Sequence, residues 1–331
     1  MIDLALFGAG QIGSIHARGI AANPKARLKY VVDTRAEAAQ RIAAATGAAI
    51  VDRDAALADP AIAGVVIASA TDTHADLAIA AAAAGKAIFC EKPIHLTLDR
   101  VDACLAAVKR AGVPFQIGFN RRFDASFRAV RDGIDAGRVG KVELVVITSR
   151  DPAPDNEDYL RVSGGLFRDM TIHDFDMARF LLGEEPSEVF ATGSCLVAPV
   201  FAKLGDFDTV MVVLRTKSGR LCHINNSVRA VYGYDQRVEV FGSSGMLRAG
   251  NRTPTSVEHS GVGGIVTDKP LYFFLERYAE SYAAELRSFV SCIEEGRVPA
   301  PGPEDGLRAM LLAESALASS KSGRFEPVRA G

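Results

Sequence analysis

The sequence predicts an α/β domain built on a parallel sheet, followed by an α+β domain with a large, mainly antiparallel open sheet. Three observations predict it. Short apolar strands alternate with helical segments over the first 119 residues, strand-like runs follow one another between residues 188 and 241, and 331 residues exceed the usual size of one hydrophobic core. The expected division is 1–119 and 120–331, with C-terminal helices that could pack back on the first domain.

The first strand, Ile2 to Phe7, leads into Gly8-Ala9-Gly10-Gln11-Ile12-Gly13, a G-x-G-x-x-G turn that opens a helix to Ala22. In such a turn the first glycine permits the tight bend, the second lets backbone approach a pyrophosphate, and the third lets helix pack on strand. Amides at the helix N-terminus then face the phosphates. The second strand, Leu28 to Val32, ends at Asp33, which lies 20 residues after Gly13, where a carboxylate accepts the hydroxyls of an adenine ribose. The expected fold is therefore a Rossmann dinucleotide-binding domain, and the expected cofactor is NAD. Arg35 leaves NADP open, because a guanidinium two residues on could hold a 2′-phosphate.

A helix from Ala36 to Ala45, a short strand at Ala49 to Val51 and the strand Gly64 to Ala68 continue the alternation. Ser69, Thr71 and His74 follow at the carboxyl edge, where they would face the nicotinamide end, and open the next helix. The strand Ala87-Ile88-Phe89 then delivers Glu91, Lys92 and Pro93 to the same edge, where open α/β sheets keep their ligands. Proline cannot continue a ladder and restricts the residue before it, which aims Lys92 out of the strand. A helix from Leu98 to Ala111 and a strand from Pro114 to Gly118 complete this domain.

The second domain opens on Asn120-Arg121-Arg122 and a helix to about Ala136, then a strand from Val142 to Thr148. Asp169 and His173 are four residues apart, so on a helix they share a face. A histidine oriented by a carboxylate suits a general base for a hydroxyl proton. Asp176 extends the pair toward a metal set, but no further ligand spacing supports a metal. Strands are expected at 188–192, 209–216, 220–228 and 236–241, with turns at Lys217-Ser218-Gly219 and Gly242 to Gly245, and helices at 273–295 and 303–320. An open sheet of this kind is commonly covered by self-association, so a homo-oligomer, dimer or tetramer, is expected.

Composition narrows the function classes. A formal charge of -2 supplies no basic field for nucleic acid. Five cysteines without paired spacing suggest neither disulfides nor zinc. No apolar run approaches a bilayer span and no signal sequence is evident, so a cytoplasmic protein without membrane partners is expected.

With the glycine turn, Glu91-Lys92-Pro93 and the Asp169 and His173 pair in that order, the chain resembles the glucose-fructose oxidoreductase and inositol dehydrogenase family over nearly its whole length. Phe89-Cys90-Glu91-Lys92-Pro93, Gly118 to Arg122 and Tyr232-Gly233-Tyr234-Asp235 bring it nearest to the inositol dehydrogenases within that family. The resemblance implies NAD-dependent oxidation of a ring hydroxyl of a cyclic polyol to a ketone, with myo-inositol as the first candidate. It assigns Lys92, Asp169 and His173 to catalysis, and Arg121 and Tyr234 to the substrate. Asn120, Ser149 and Asp151 fall at positions that line the sugar pocket in the family, and there the chain departs from some members, so another inositol isomer or sugar stays open. A non-catalytic NAD and sugar sensor is the alternative from another class; retention of the proton-transfer set argues against it. Lys92 as a Schiff-base former is disfavoured, because no second adjacent cation lowers its pKa.

Overall fold

The computed structural model describes residues 1–329, which divide into two compact units. The first joins Met1–Phe123 to Glu280–Met310, and the second joins Asp124–Ala279 to the residues from Leu311 on. The division after Phe123 lies four residues beyond the expected boundary, and the first unit is discontinuous in sequence.

In the first unit, β1 (Ile2–Phe7), β2 (Ala26–Val32), β3 (Ala49–Ile50), β4 (Ile62–Ile67), β5 (Ala87–Glu91) and β6 (Phe115–Gly118) form one sheet in the order β3-β2-β1-β4-β5-β6, every pairing parallel. Helices α1 (Gln11–Ala21), α2 (Ala36–Thr46), α3 (Arg53–Ala58), α4 (Thr71–Ala83) and α5 (Leu98–Ala111) make the crossovers. The order reverses between β1 and β4, which sets the ligand crevice at their carboxyl ends. The strands β4, β5 and β6 are buried on both faces, and β5 reads Ala-Ile-Phe-Cys-Glu without one exposed residue. Leu4, Leu6, Val66 and Phe89 pack with Leu286, Phe289 and Val290, so the returning segment shares this core. Burying each such side chain contributes roughly 1.5–3 kcal/mol. Small residues let α4 lie close: Ala75, Ala78 and Ala81 have no exposed surface.

The second unit begins at Asp124, whose carboxylate caps α6 (Ala125–Asp135) by accepting from the Ser126 and Phe127 amides and pairs with the buried Arg277. There follow β7 (Val142–Arg150), α7 (Glu157–Val162), α8 (Leu166–Asp169), α9 (Thr171–Leu182), β8 (Pro186–Ser194), α10 (Pro199–Leu204), β9 (Thr209–Thr216), β10 (Leu221–Ser227), β11 (Asp235–Gly242), β12 (Gly245–Ala249), β13 (Glu258–Gly261), β14 (Gly264–Thr267) and α11 (Phe274–Arg277); the chain then returns to the first unit with α12 (Ala279–Glu295) and the start of α13 (Pro303–Ser322), whose remainder, with β15 (Glu326–Pro327), belongs to the second. The large sheet runs β12-β11-β7-β10-β9-β8-β15; β7 and β10 pair in parallel and every other pairing is antiparallel. Residues alternate along its strands, so Val145, Ile147, Val212, Leu214 and Ile224 are buried, and α9 packs on β7 and β10. The other face leaves Met211, Leu221, Phe241 and Met246 exposed.

Three helices, α3, α7 and α10, were not expected; each is only six residues long and too short to carry a helical period. The long C-terminal helix expected from residue 273 is broken between Arg277 and Ala279. No helix among the described residues is long and apolar enough to cross a membrane.

Candidate active site

The turn after β1 is shaped by two glycines that admit no side chain. Gly8 has φ +101°, and a Cβ there would stand 2.4 Å from the Ala68 carbonyl oxygen; at Gly13 it would stand 2.0 Å from the Gly8 carbonyl oxygen. Gly10 is different. A Cβ there would meet nothing nearer than the Arg35 guanidinium at 3.7 Å, so packing within the protein does not account for this glycine. The bare backbone leaves the approach to the α1 N-terminus open, where Gln11 and Ile12 begin the helix.

Asp33 is tied into the same turn. Its Oδ2 accepts from the Ala9 amide at 2.6 Å and its Oδ1 from the Arg35 amide at 2.7 Å. Burial opposes its charge, but these two amides and the Arg35 guanidinium prevail and hold the carboxyl below its ordinary value. An ionised carboxylate has acceptor capacity beyond two amides, which suits it to ribose hydroxyls. The Arg35 side chain is largely exposed, 3.6 Å from that carboxylate.

Ser69 and Thr71 lie where β4 passes into α4, and the Ser69 hydroxyl is 2.6 Å from that of Thr73. His74 is buried, with Nδ1 2.9 Å from the Pro93 carbonyl oxygen and Nε2 3.2 Å from that of Ser69. Burial lowers its pKa despite the two carbonyls, and the ring fastens the Ser69 loop to the turn that bears Lys92. The Lys92-Pro93 peptide is cis, Lys92 is partly buried, and its amide donates to Glu91 Oε2 at 3.3 Å. Asn120 and Arg121 are buried in a 3-10 turn after β6, and Asn120 Nδ2 has no hydrogen-bond partner among the described residues. The first unit thus gathers the glycine turn, Asp33, Ser69, Thr71, His74, Glu91 and Lys92 at the carboxyl edge of one sheet.

In the second unit Asp169 ends α8 and His173 lies in the first turn of α9. The expected single helix is two, joined at Met170, whose φ of -91° and ψ of -57° keep the chain right-handed, so the one-turn spacing survives the break. Gly164 and Gly165, both at positive φ, turn the chain into α8, whose first amide donates to the Asp206 carboxylate. Asp169 Oδ1 accepts from the Tyr159 hydroxyl at 2.9 Å. Burial, and then the Asp169 charge, push that phenol above its ordinary pKa, so Tyr159 remains a donor.

A buried network holds α9 to the sheet. Ser149 Oγ donates to Asp174 Oδ1 at 2.5 Å, Asn226 Nδ2 to Asp174 Oδ2 at 2.8 Å, and Thr171 Oγ1 to Asn226 Oδ1 at 2.7 Å. Gln236 Oε1 lies 3.0 Å from the same Ser149 hydroxyl. Asp174 adjoins His173 and has no exposed surface, so this network sets the rotation of α9 and with it the histidine. Ser149, expected at the sugar pocket, is 1% exposed and turned into the network. Tyr234 is buried with its ring edge-on to Phe273 and Tyr278. Asp151 is partly buried and lines a pocket with Asp155, Asp169 and Asp206. Asp176, weighed as a metal ligand, is buried beside Arg179 at 3.5 Å. Tyr159, Asn226 and Gln236 escaped the sequence reading, because nothing local marks a tyrosine, asparagine or glutamine whose partner is 10 to 87 residues away.

Two family models match these two halves: an oxidoreductase family with an NAD-binding Rossmann fold over residues 2–119, and the GFO/IDH/MocA C-terminal domain over residues 127–248. The chain belongs to the GFO/IDH/MocA oxidoreductase family. Within it, the chain is 51% identical over 319 residues to inositol 2-dehydrogenase of Rhizobium meliloti, covering 96% of each chain. The crystal structure of a myo-inositol dehydrogenase from Corynebacterium glutamicum superposes with a TM-score of 0.96 at 44% identity over all of both chains. That of scyllo-inositol dehydrogenase from Lactobacillus casei, with bound NAD(H) and scyllo-inositol, gives 0.93 at 28% identity, again over all of both chains. This GFO/IDH/MocA member is an oxidoreductase with a Rossmann NAD-binding domain and a second domain built on a mixed sheet.

Proposed function

We propose that the protein oxidises a ring hydroxyl of myo-inositol to the ketone, 2-keto-myo-inositol, with NAD as hydride acceptor. The observation that carries this reading is the one-turn spacing of Asp169 and His173 across the α8 and α9 junction, in a chain whose other unit sets Lys92 at the edge of a Rossmann sheet. The inositol dehydrogenases among its relatives support the choice of substrate. Bound NAD supplies the hydride acceptor; Gly8 to Gly13 would hold its pyrophosphate and Asp33 its adenine ribose. His173 takes the hydroxyl proton, and Asp169, braced by Tyr159, orients it. Lys92 donates to the same oxygen and stabilises the charge that develops as the carbon-hydrogen bond breaks. Arg121, Asn120, Asp151 and Tyr234 are the residues assigned to the remaining hydroxyls.

The deciding experiment is NADH formation by purified protein against myo-, scyllo- and chiro-inositol, glucose, xylose and galactose, with NAD and with NADP. Preference for myo-inositol and NAD is expected. Turnover with only another sugar would replace the substrate, and none at all would leave a sensor.

NAD is favoured over NADP because the Asp33 carboxylate, ionised and fixed by two amides, repels a 2′-phosphate. Asp33→Asn is expected to move the ratio of kcat/KM for NADP over NAD upward on the order of tenfold, the worth of a hydrogen bond to a charged group. An unchanged ratio would separate Asp33 from the ribose. The exposed Met211, Leu221, Phe241 and Met246 on one face of the large sheet support self-association of a second copy through that face.

A further inference from the structure

Behind Lys92 lies a set of side chains that the proposed chemistry does not use. His16 of α1, Glu91 at the end of β5 and Glu285 of α12 are all buried, and one ligand-type atom from each lies within 4.8 Å of the others. His16 Nε2 lies 2.6 Å from Glu91 Oε1, a hydrogen bond. Glu285 has no exposed surface, and neither of its carboxyl oxygens has a hydrogen-bond partner among the described residues. Gly118 of β6 makes room for the set, since a Cβ there would come 2.9 Å from Glu91 Oε2.

Two kinds of occupant suit such a cluster, a cation or a proton. Ligands of a tetrahedral zinc ion at 2.0–2.2 Å stand roughly 3.4 Å apart. The 2.6 Å between His16 and Glu91 is a hydrogen-bond distance and leaves no room for a metal between them. An ionised Glu285 would be a second buried carboxylate with no donor, facing the first.

We infer that Glu285 is held as a neutral acid and that, with His16 and Glu91, it forms a proton-holding cluster that positions the strand end bearing Lys92 against the helix that carries the glycine turn. Burial, and then the adjacent Glu91 carboxylate, push the Glu285 carboxyl well above its ordinary value. The ionisable groups facing the cluster are Tyr282 of α12, whose ring is edge-on to His16, Lys92 beyond Glu91, and His74 of α4, bound to the Pro93 carbonyl; β6 contributes the uncharged Gln116, whose amide donates to the Glu285 carbonyl at 2.9 Å. These are positioning residues, and their effect on turnover rests on the role proposed for Lys92.

The test compares Glu285→Gln and Glu285→Leu with the wild-type protein. Glutamine matches a neutral acid in shape, so E285Q is expected to keep kcat/KM within about threefold, whereas E285L lowers kcat on the order of ten- to a hundredfold by loosening the Lys92 turn. A carboxyl whose folded pKa is raised contributes stability that is complete below its unfolded value of about 4.3 and is lost as pH rises toward the folded value. The apparent Tm of E285Q should therefore gain on that of the wild type above pH about 4.3, on the order of 3 °C per pH unit. A protonated-carboxyl infrared band of the wild type at neutral pH should vanish in E285Q. A Tm difference of the opposite slope, E285Q as impaired as E285L, or stoichiometric metal in the purified protein would each overturn the inference. The Tm and infrared readouts need no turnover, so their failure and failure of the inositol reading are separately visible.

Discussion

His173→Ala is expected to lower kcat for inositol oxidation by roughly 10²- to 10⁴-fold, the usual cost of removing a general base, the role proposed for this histidine. The affinity for NAD stays within a few-fold, because His173 belongs to the second unit and the glycine turn and Asp33 to the first. The histidine stands in the first turn of α9, whose neighbouring Thr171 and Asp174 are locked to Asn226 and Ser149. The alanine variant should therefore fold as the parent does, with the helix held by a network the substitution leaves intact. Steady-state kinetics beside an NAD titration by tryptophan-free tyrosine or NADH fluorescence check the result. A kcat within a factor of a few of the parent would remove His173 from the proton transfer.

Lys92→Met is the second large effect, with an expected loss in kcat of roughly 10²- to 10³-fold. Methionine keeps much of the length of the side chain and discards its charge and its donors. The turn itself survives, since His74 on the Pro93 carbonyl and the Glu91 contact to the Lys92 amide do not involve the ammonium group. The discriminating measurement is the division of the loss between kcat and the Kd for NAD. A loss lying wholly in NAD affinity would make Lys92 a cofactor ligand alone.

Much of the first unit was legible because its signals are local. Gly8, Gly13 and Asp33 answer steric and charge demands at fixed spacing, and the structure returns the same demands as a 2.0 Å clash and a 2.6 Å hydrogen bond. The place of Lys92, just past the end of an apolar strand and before a proline, was legible for the same reason. The second unit was less so. Ser149 reads as a pocket residue by its place in the family pattern, whereas its hydroxyl is taken by Asp174, 25 residues on. Tyr159 became visible only when Gly164 and Gly165 folded α7 back on α8. His16 and Glu285 are 269 residues apart and were silent, because a buried histidine or glutamate carries no mark of burial in a helical stretch of sequence.

The discontinuity of the first unit bears on the order in which the chain is made. Phe289 and Val290 belong to the same core as Leu4 and Phe89, yet the ribosome releases them only after the whole of Asp124–Ala279. At about 5–20 residues per second, the cofactor half waits roughly 8–35 s between finishing its sheet and receiving the helix that closes it. During that interval the apolar face meant for α12 is open to water and to chaperones. The glycine turn thus leaves the ribosome before Asp124–Ala279 and gains its finished scaffold only after them.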